Sequence, residues 1–159
     1  MVVIQRDVQQ PVGIATAKTG AMTETALSSS PAPQVWPTLQ AHDAHALIRC
    51  YVEVLGFVAV AVYDDGDQVA HAQLSWPEGG GIMLGSHKPG RAWVLQPGTF
   101  GAYVVTDQVA DIYARVQAAA GMRIVRELGL SDQGGEEFAI ADPEGNLWSF
   151  GSYRGEAVG

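Results

Sequence analysis

Polar side chains that could do chemistry stand at every second position in one stretch of the chain, at His71, Gln73 and Ser75. Small or apolar residues fill the positions between them, so the stretch predicts a β-strand with one polar face. An internal repeat gives His71 an acidic counterpart at Glu137. A histidine and a carboxylate can act together as a base and its orienting group, or they can hold a cation. The alternative is that both residues only make hydrogen bonds within a sheet or with solvent.

Two further groups of imidazole and acidic side chains are better explained by local structure. Asp43, with His42 and His45 beside it, stands where a helix begins, which is typical of an N-cap. In the segment Asp142-Pro143-Glu144-Gly145, proline at the second and glycine at the fourth position are typical of a β-turn. We therefore expect neither group to be catalytic.

The elements that must position these residues occur in two successive blocks. The first block begins with a short strand over 35–41, followed by a helix that ends at Gly56. The second block begins with a strand over 100–106, followed by a helix that ends at Gly121. Three strands follow each helix. The predicted strands lie at 57–63, 68–76, 81–86, 122–128, 136–141 and 147–153. Both blocks therefore have the order β-α-β-β-β.

An internal repeat relates the two blocks. The segment 76–86 aligns with 142–152 at a constant shift of 66 residues, which keeps Pro-Glu-Gly and Gly-Ser in place. Gly56 and Gly121 repeat at a shift of 65. The repeat predicts an α+β fold of two paired βαβββ modules, whose curved mixed sheets form a cup with the helices on the outside.

The chain outside the modules has no comparable pattern. The first residues are rich in Thr, Ala, Ser, Gln and Pro and predict a flexible leader, in which Met22 is a candidate alternative start. The predicted divisions are a leader over 1–34, a domain over 35–153 (first module 35–86, linker 87–98, second module 99–153) and a C-terminal tail over 154–159.

The repeated module resembles the vicinal oxygen chelate superfamily. The residues that carry the resemblance are the helix end at 51–57, the His71-Ala72-Gln73-Leu74 stretch and the ending at 142–148, Asp-Pro-Glu-Gly-Asn-Leu-Trp. This superfamily includes glyoxalase I, extradiol dioxygenases, fosfomycin-resistance enzymes and bleomycin-binding proteins, and the chain is most similar to uncharacterised glyoxalase-like members. The resemblance implies the paired-module fold and a homodimer, because related proteins often complete their cups across a two-fold axis.

The resemblance also locates four metal-ligand positions, since metal-dependent members bind a divalent metal through one side chain on the first and last strand of each module. Counted from the motifs, these positions hold Trp36, Met83, Gly101 and Ser149. None of them offers an imidazole or a carboxylate. The comparison therefore implies a cup without metal or cofactor, as in the bleomycin-binding branch.

Side chains on the predicted cup faces could instead hold a small molecule. Trp36 and Tyr103 could stack on a planar ligand and Met83 could form an adaptable wall, or all three could belong to the core. The predicted ligand-binding residues are Trp36, Thr38, Gln40, Gln73, Met83, Tyr103 and Ser149. The linker segment 87–93 is cationic and aromatic. It could close over the cup and contact an anionic or aromatic ligand, or it could merely join the modules.

Composition narrows the class of protein. Seventeen acidic against nine basic residues give a formal net charge of −8, which argues against nucleic acid and would attract cationic ligands. No window approaches the roughly 18 to 20 apolar residues of a membrane span. The single cysteine excludes an intrachain disulfide, and residues 1–10 lack the order of a signal peptide, so we expect a cytoplasmic protein.

Three functions are compatible with these patterns. We favour a protein that binds or sequesters a small aromatic or cationic molecule in a metal-free cup. The second is a lyase, isomerase or dioxygenase that uses a displaced divalent metal or an acid-base pair of His71 and Glu137. The third is a structural or regulatory partner protein without a ligand, because fold does not determine function. The sequence leaves open whether the protein is an enzyme.

Overall fold

The computed structural model describes residues 34–156. The predicted leader, apart from Gln34, therefore lies outside the described residues, as do Met22 and the last three residues of the predicted tail.

The first module is a helix packed against a four-stranded mixed sheet. Asp43 caps the helix by accepting a hydrogen bond from the Ala46 N–H at 2.9 Å, and Gly56 ends it with a φ of 98°, as predicted. The strands lie in the order β1-β4-β3-β2, with β1 parallel to β4. The elements are β1 (Thr38–Ala41), α1 (Ala44–Cys50) with a π-helical turn (Tyr51–Leu55), β2 (Val58–Asp65), β3 (Gln68–Ser75) and β4 (Gly81–Ser86).

The second module repeats this arrangement. Its strands lie in the order β5-β8-β7-β6, with β5 parallel to β8, so the topology of the first sheet recurs. Tyr103 pairs with Ser149 as Thr38 pairs with Met83. The two paired modules of an α+β fold are thus confirmed. The elements are β5 (Gly101–Val105), α2 (Val109–Ala118), β6 (Arg123–Leu130), β7 (Glu136–Ala141) and β8 (Leu147–Gly151).

Several details of the predicted strands are wrong, among them the ends of β2 and β6, which continue two residues further, to Asp65 and Leu130. The first strand begins at Thr38 rather than at residue 35, and it follows Pro37, which has no N–H to give to a sheet. The last strand ends at Gly151 rather than at residue 153. A register shift against β2 leaves Ala70 exposed and buries Val69, whereas unbroken alternation along this predicted strand would put Ala70 on the same face as the buried Ala72.

An aromatic cluster joins the two modules into one core. The Phe57 ring lies 5.0 Å from that of Trp76 and 5.6 Å from that of Trp148, measured between ring centroids. Tyr51 from the end of the first helix meets Trp148 edge to face at 5.1 Å. Such pairs add roughly 0.5–1.5 kcal/mol each beyond the burial of their area, so the modules share their stability.

The buried carboxylate of Asp142 organises the turn before β8. It accepts hydrogen bonds from the Tyr51 hydroxyl at 2.5 Å, from Asn146 Nδ2 at 2.8 Å and from the N–H groups of Glu144 and Asn146 at 2.9 Å. Burial, with the charge of Asp142, raises the pKa of Tyr51, so its hydroxyl remains a donor. The Gly145 N–H donates to the Asp142 carbonyl at 3.0 Å, which confirms the predicted turn.

Two glutamates at equivalent positions of the repeat connect each module to the helix start of the other. Glu144 of the second module accepts hydrogen bonds from the His42 and Asp43 N–H groups, both at 2.8 Å. Glu78 of the first module accepts from the Asp107 N–H at 3.1 Å and from the Thr106 hydroxyl at 2.5 Å. We call these pairs the reciprocal glutamate contacts. They place negative charge at the N-terminal end of each helix, where it is favourable.

We expect Glu144→Gln to lower the free energy of unfolding by about 1–2 kcal/mol, because hydrogen bonds to a charged acceptor are lost or weakened. Urea denaturation measures this change. Glu136→Gln is the matched control, since Glu136 is exposed and its side chain has no hydrogen bond within the described part of the chain. Equal stability of the two variants would contradict a role for these contacts.

Candidate functional site

A cavity of about 470 Å³ lies against the first sheet. Thr38, Gln40, Met83 and His71 line it. They alternate along their strands with residues buried in the core, such as Leu39 and Ala72, so they stand on the face away from α1. Three of the predicted ligand-binding residues and the predicted catalytic histidine therefore share one cavity.

The linker between the modules forms the other wall of this cavity through Lys88, Arg91 and Trp93. Gln40 holds it in place. Its Nε2 donates to the Trp93 carbonyl at 3.1 Å, and its Oε1 accepts from the Leu95 N–H at 3.2 Å. The linker therefore lies over the predicted cup face of the first sheet, and its contact with a ligand there stays a prediction.

His87 strengthens the same attachment. Its Nδ1 lies 3.1 Å from the Leu95 carbonyl and 3.2 Å from Gln40 Oε1. Because both partners are acceptors, we assign the proton to Nδ1, and Nε2 is left without it in the neutral ring. The polar atoms of Gln40 that we predicted to bind a ligand are thus occupied in positioning the loop.

The charged groups around the cavity are unequally paired. Lys88 Nζ lies 2.7 Å from Asp65 Oδ2, and this ammonium group holds the pKa of Asp65 below its usual range. Arg91 lowers the same pKa through its charge, yet its guanidinium has no ion pair or hydrogen bond among residues 34–156. Trp93 is 71% exposed. The rim therefore presents one unpaired cation and one accessible indole.

His71 presents an imidazole to the cavity without a fixed partner for proton transfer. Its ring stacks on Tyr63, with centroids 6.3 Å apart and planes 20° from parallel. It has no hydrogen bond to any described residue. Glu137 lies on the other sheet, where its nearly buried carboxylate contacts Arg126 and the Ser149 hydroxyl. The structure therefore does not bring the two predicted catalytic residues together within one chain.

The remaining predicted binding residues also lie outside the cavity. Ser149 binds Glu137 and the Phe138 carbonyl, and the Tyr103 hydroxyl accepts a hydrogen bond from the Tyr153 N–H at 3.1 Å. Gln73 is half-buried on β3 beside Met83.

Trp36 precedes β1 and packs over Gly81, where an added Cβ would lie 2.6 Å from the Trp36 ring. Glycine is required there because an added Cβ would collide first with the Leu74 carbonyl oxygen of β3 and then with the Trp36 indole. Binding roles for Trp36, Gln73, Tyr103 and Ser149 stay predictions.

The four inferred metal positions do not fit a divalent metal. Trp36, Met83 and Gly101 have no hard donor, and the Ser149 hydroxyl is engaged with protein groups. Within residues 34–156 no three His, Cys, Asp or Glu side chains form a group that could hold a metal ion. The residues present thus disagree with the ligand set of the metal-dependent members.

A second cavity of about 290 Å³ was not predicted from the sequence. It lies between the modules, where Phe57, Trp76 and Trp148 form part of its wall. Its charged lining residues are already paired, since Glu78 makes a reciprocal glutamate contact and Arg154 binds Asp107 at 2.8 Å. Tyr103, one of the predicted ligand-binding residues, also lines it. Phe57, Trp76 and Trp148 were not predicted to do so, because their shared wall forms only when the modules meet.

Asp65 is a further lining residue without a sequence-based prediction, because it lies between the predicted strands at 57–63 and 68–76. The sequence did indicate a possible binding role for the linker residues Lys88, Arg91 and Trp93, because this linker is a cationic and aromatic segment in an acidic chain. No helix in the described range is long and apolar enough to cross a membrane.

Comparison with known proteins supports the architecture. Among solved structures, TioX from Micromonospora sp. ML1 is 24% identical with a TM-score of 0.59, over 74% of this chain and 97% of that one. A glyoxalase/bleomycin resistance protein from Streptomyces sp. CB03234 is 21% identical with a TM-score of 0.58, over 72% and 95%. A glyoxalase-related enzyme from Fulvimarina pelagi is 24% identical with a TM-score of 0.55, over 74% and 86%. At these identities the likeness shows the fold alone.

A search of curated proteins found no match. The family model described as Glyoxalase/Bleomycin resistance protein/Dioxygenase superfamily matches residues 34–150, which span both modules. The family match, the repeated βαβββ topology and the structural likeness agree, and the chain belongs to the glyoxalase/bleomycin resistance protein/dioxygenase superfamily.

Proposed function

We propose that this protein binds a small aromatic molecule in the cavity of the first sheet, without a metal. The observation that carries the proposal is the cavity itself, whose walls combine Thr38 and Met83 of the sheet with Trp93 of the linker. Its volume of about 470 Å³ lies within the roughly 300–1,000 Å³ that small-molecule sites have. A monocyclic or bicyclic ring system fits such a space.

The lining favours an aromatic ligand. Trp93 exposes 71% of its surface at the rim, and an exposed indole gains most from stacking on a flat ring. Met83 on the opposite wall has a flexible, polarizable side chain that adapts to different ring shapes. Because Gln40 fixes the backbone at Trp93, less conformational freedom is lost when a ligand binds.

The superfamily alone does not decide between binding and catalysis, because one fold hosts both. The residues at the metal-ligand positions favour binding, since Trp36, Met83, Gly101 and Ser149 do not fit a metal. The separation of His71 from Glu137 on two sheets gives no support to an acid-base pair within one chain. The homodimer and the cytoplasmic location stay predictions that rest on the resemblance and the composition.

Filling the cavity tests the proposal. We expect wild-type protein to bind 2-naphthol saturably, with a Kd on the order of 100 μM for so small a ligand. Thr38→Trp should abolish this binding, because the larger side chain occupies the cavity. Isothermal titration calorimetry measures both values.

Val125→Trp is the matched control, because Val125 lies on β6 of the second sheet and is 49% exposed. This variant should bind 2-naphthol as the wild type does. Unchanged binding by a folded Thr38→Trp protein would place the ligand elsewhere and refute the proposal.

Metal content provides an independent test of the metal-free site. After equilibration of tag-free protein with Ni²⁺, Zn²⁺, Mn²⁺ or Fe²⁺ and removal of excess ion, we expect far less than one ion per chain, because the four positions lack suitable donors. Inductively coupled plasma mass spectrometry gives the stoichiometry. The contrary result would be one bound ion per chain in the wild type and in Thr38→Trp, and none in a His71→Ala, Glu137→Ala double variant. That result would support an enzyme that binds its metal through His71 and Glu137.

A further inference from the structure

We infer that the ligand of the first-sheet cavity is an aromatic acid whose carboxylate binds the guanidinium of Arg91. The inference rests on the proposed function and adds the charge of the ligand. It also revises the expectation of a cationic ligand, which came from the net charge of the whole chain rather than from the cavity.

Arg91 is the charged side chain of the cavity that lacks a partner. Lys88 and Asp65 neutralise each other at 2.7 Å. Elsewhere, Arg115 donates to the carbonyl of Val54 and Arg154 binds Asp107. The Arg91 guanidinium makes no such contact with any described residue and lines the cavity. An arginine offers a planar pair of donors that matches a carboxylate in geometry.

The loop that carries Arg91 is anchored two and four residues further along the chain, at Trp93 and Leu95. Gln40 holds the carbonyl of Trp93 and the N–H of Leu95, and His87 holds the Leu95 carbonyl. Arg91 lies two residues before Trp93, so the cation and the indole are presented from one anchored segment. A ligand with a ring and a carboxylate can meet both at once.

Local charge explains how an acid could bind to an acidic protein. The chain carries a formal charge of −8, which disfavours the approach of anions in general. Within the cavity lining, however, Asp65 is balanced by Lys88, and Arg91 leaves one positive charge in excess even with His71 neutral. An aromatic amine would meet that charge unfavourably, whereas an aromatic acid would be attracted.

Three probes with the same ring test the inference: 2-naphthoate, the neutral 2-naphthamide and 2-naphthylmethylammonium, each titrated calorimetrically at low ionic strength. We expect the acid to bind about tenfold more tightly than the amide, and the amine to bind most weakly. The advantage of the acid should shrink as salt is added, because the cation lies near solvent. Arg91→Gln should reduce the affinity for the acid to that for the amide and leave the amide unaffected.

Arg49→Gln is the matched control, because Arg49 is an exposed cation on α1 and does not line the cavity. It should leave the preference for the acid intact. Equal binding of acid and amide by the wild type, or an unchanged preference in Arg91→Gln, would overturn the inference while the proposed function stands. If none of the probes bound, or if Thr38→Trp left their binding intact, the proposed function itself would fail.

Discussion

The packing of the two modules depends on two carboxylates. Glu144 of the second module binds backbone N–H groups just before α1, and Glu78 of the first module binds the chain just before α2. Glu144 binds the N–H groups of Asp43, the N-cap of α1, and of His42 before it, and Glu78 binds the Asp107 N–H two residues before α2, so each carboxylate lies near the positive end of a helix dipole. Since each module supplies one glutamate and one helix start, the two contacts fix the modules in one mutual orientation. The aromatic contacts of Phe57 with Trp76 and Trp148 then form between them.

That orientation determines the path of the linker and thereby the candidate site. The linker must run from the end of β4 to the start of β5, and Gln40 attaches it across the open face of the first sheet. On the second sheet, Glu137 instead contacts Arg126 and Ser149. The repeat is therefore nearly symmetric in topology but unequal in chemistry. The face of the first sheet is covered by a linker that carries an unpaired arginine and an exposed indole, whereas on the second sheet Glu137 and Ser149 bind each other.

Much of the fold could be predicted from local patterns. The β4 and β7 boundaries, the N-cap at Asp43 and the turn at Asp142 follow from alternation, capping and turn chemistry, which act over a few residues. The site could be predicted only in part. The resemblance put Met83 at a cup-facing position and, together with alternation along the strand, put Thr38 on a cup face, and both residues line the cavity. The role of Gln40 depends on partners more than 50 residues away. No local pattern reveals such contacts.

The proposed site requires that ligands enter the first-sheet cavity and not the cavity between the modules. The four tryptophans allow a direct test, because Trp93 lines the first cavity while Trp76 and Trp148 line the second. Protein labelled with 5-fluorotryptophan would be titrated with 2-naphthoate and followed by ¹⁹F NMR, with resonances assigned by single Trp→Phe variants. We expect a saturable shift of the Trp93 resonance, while the resonances of Trp76 and Trp148 stay unchanged. A shift of the Trp76 and Trp148 resonances without one at Trp93 would show that the ligand binds between the modules instead.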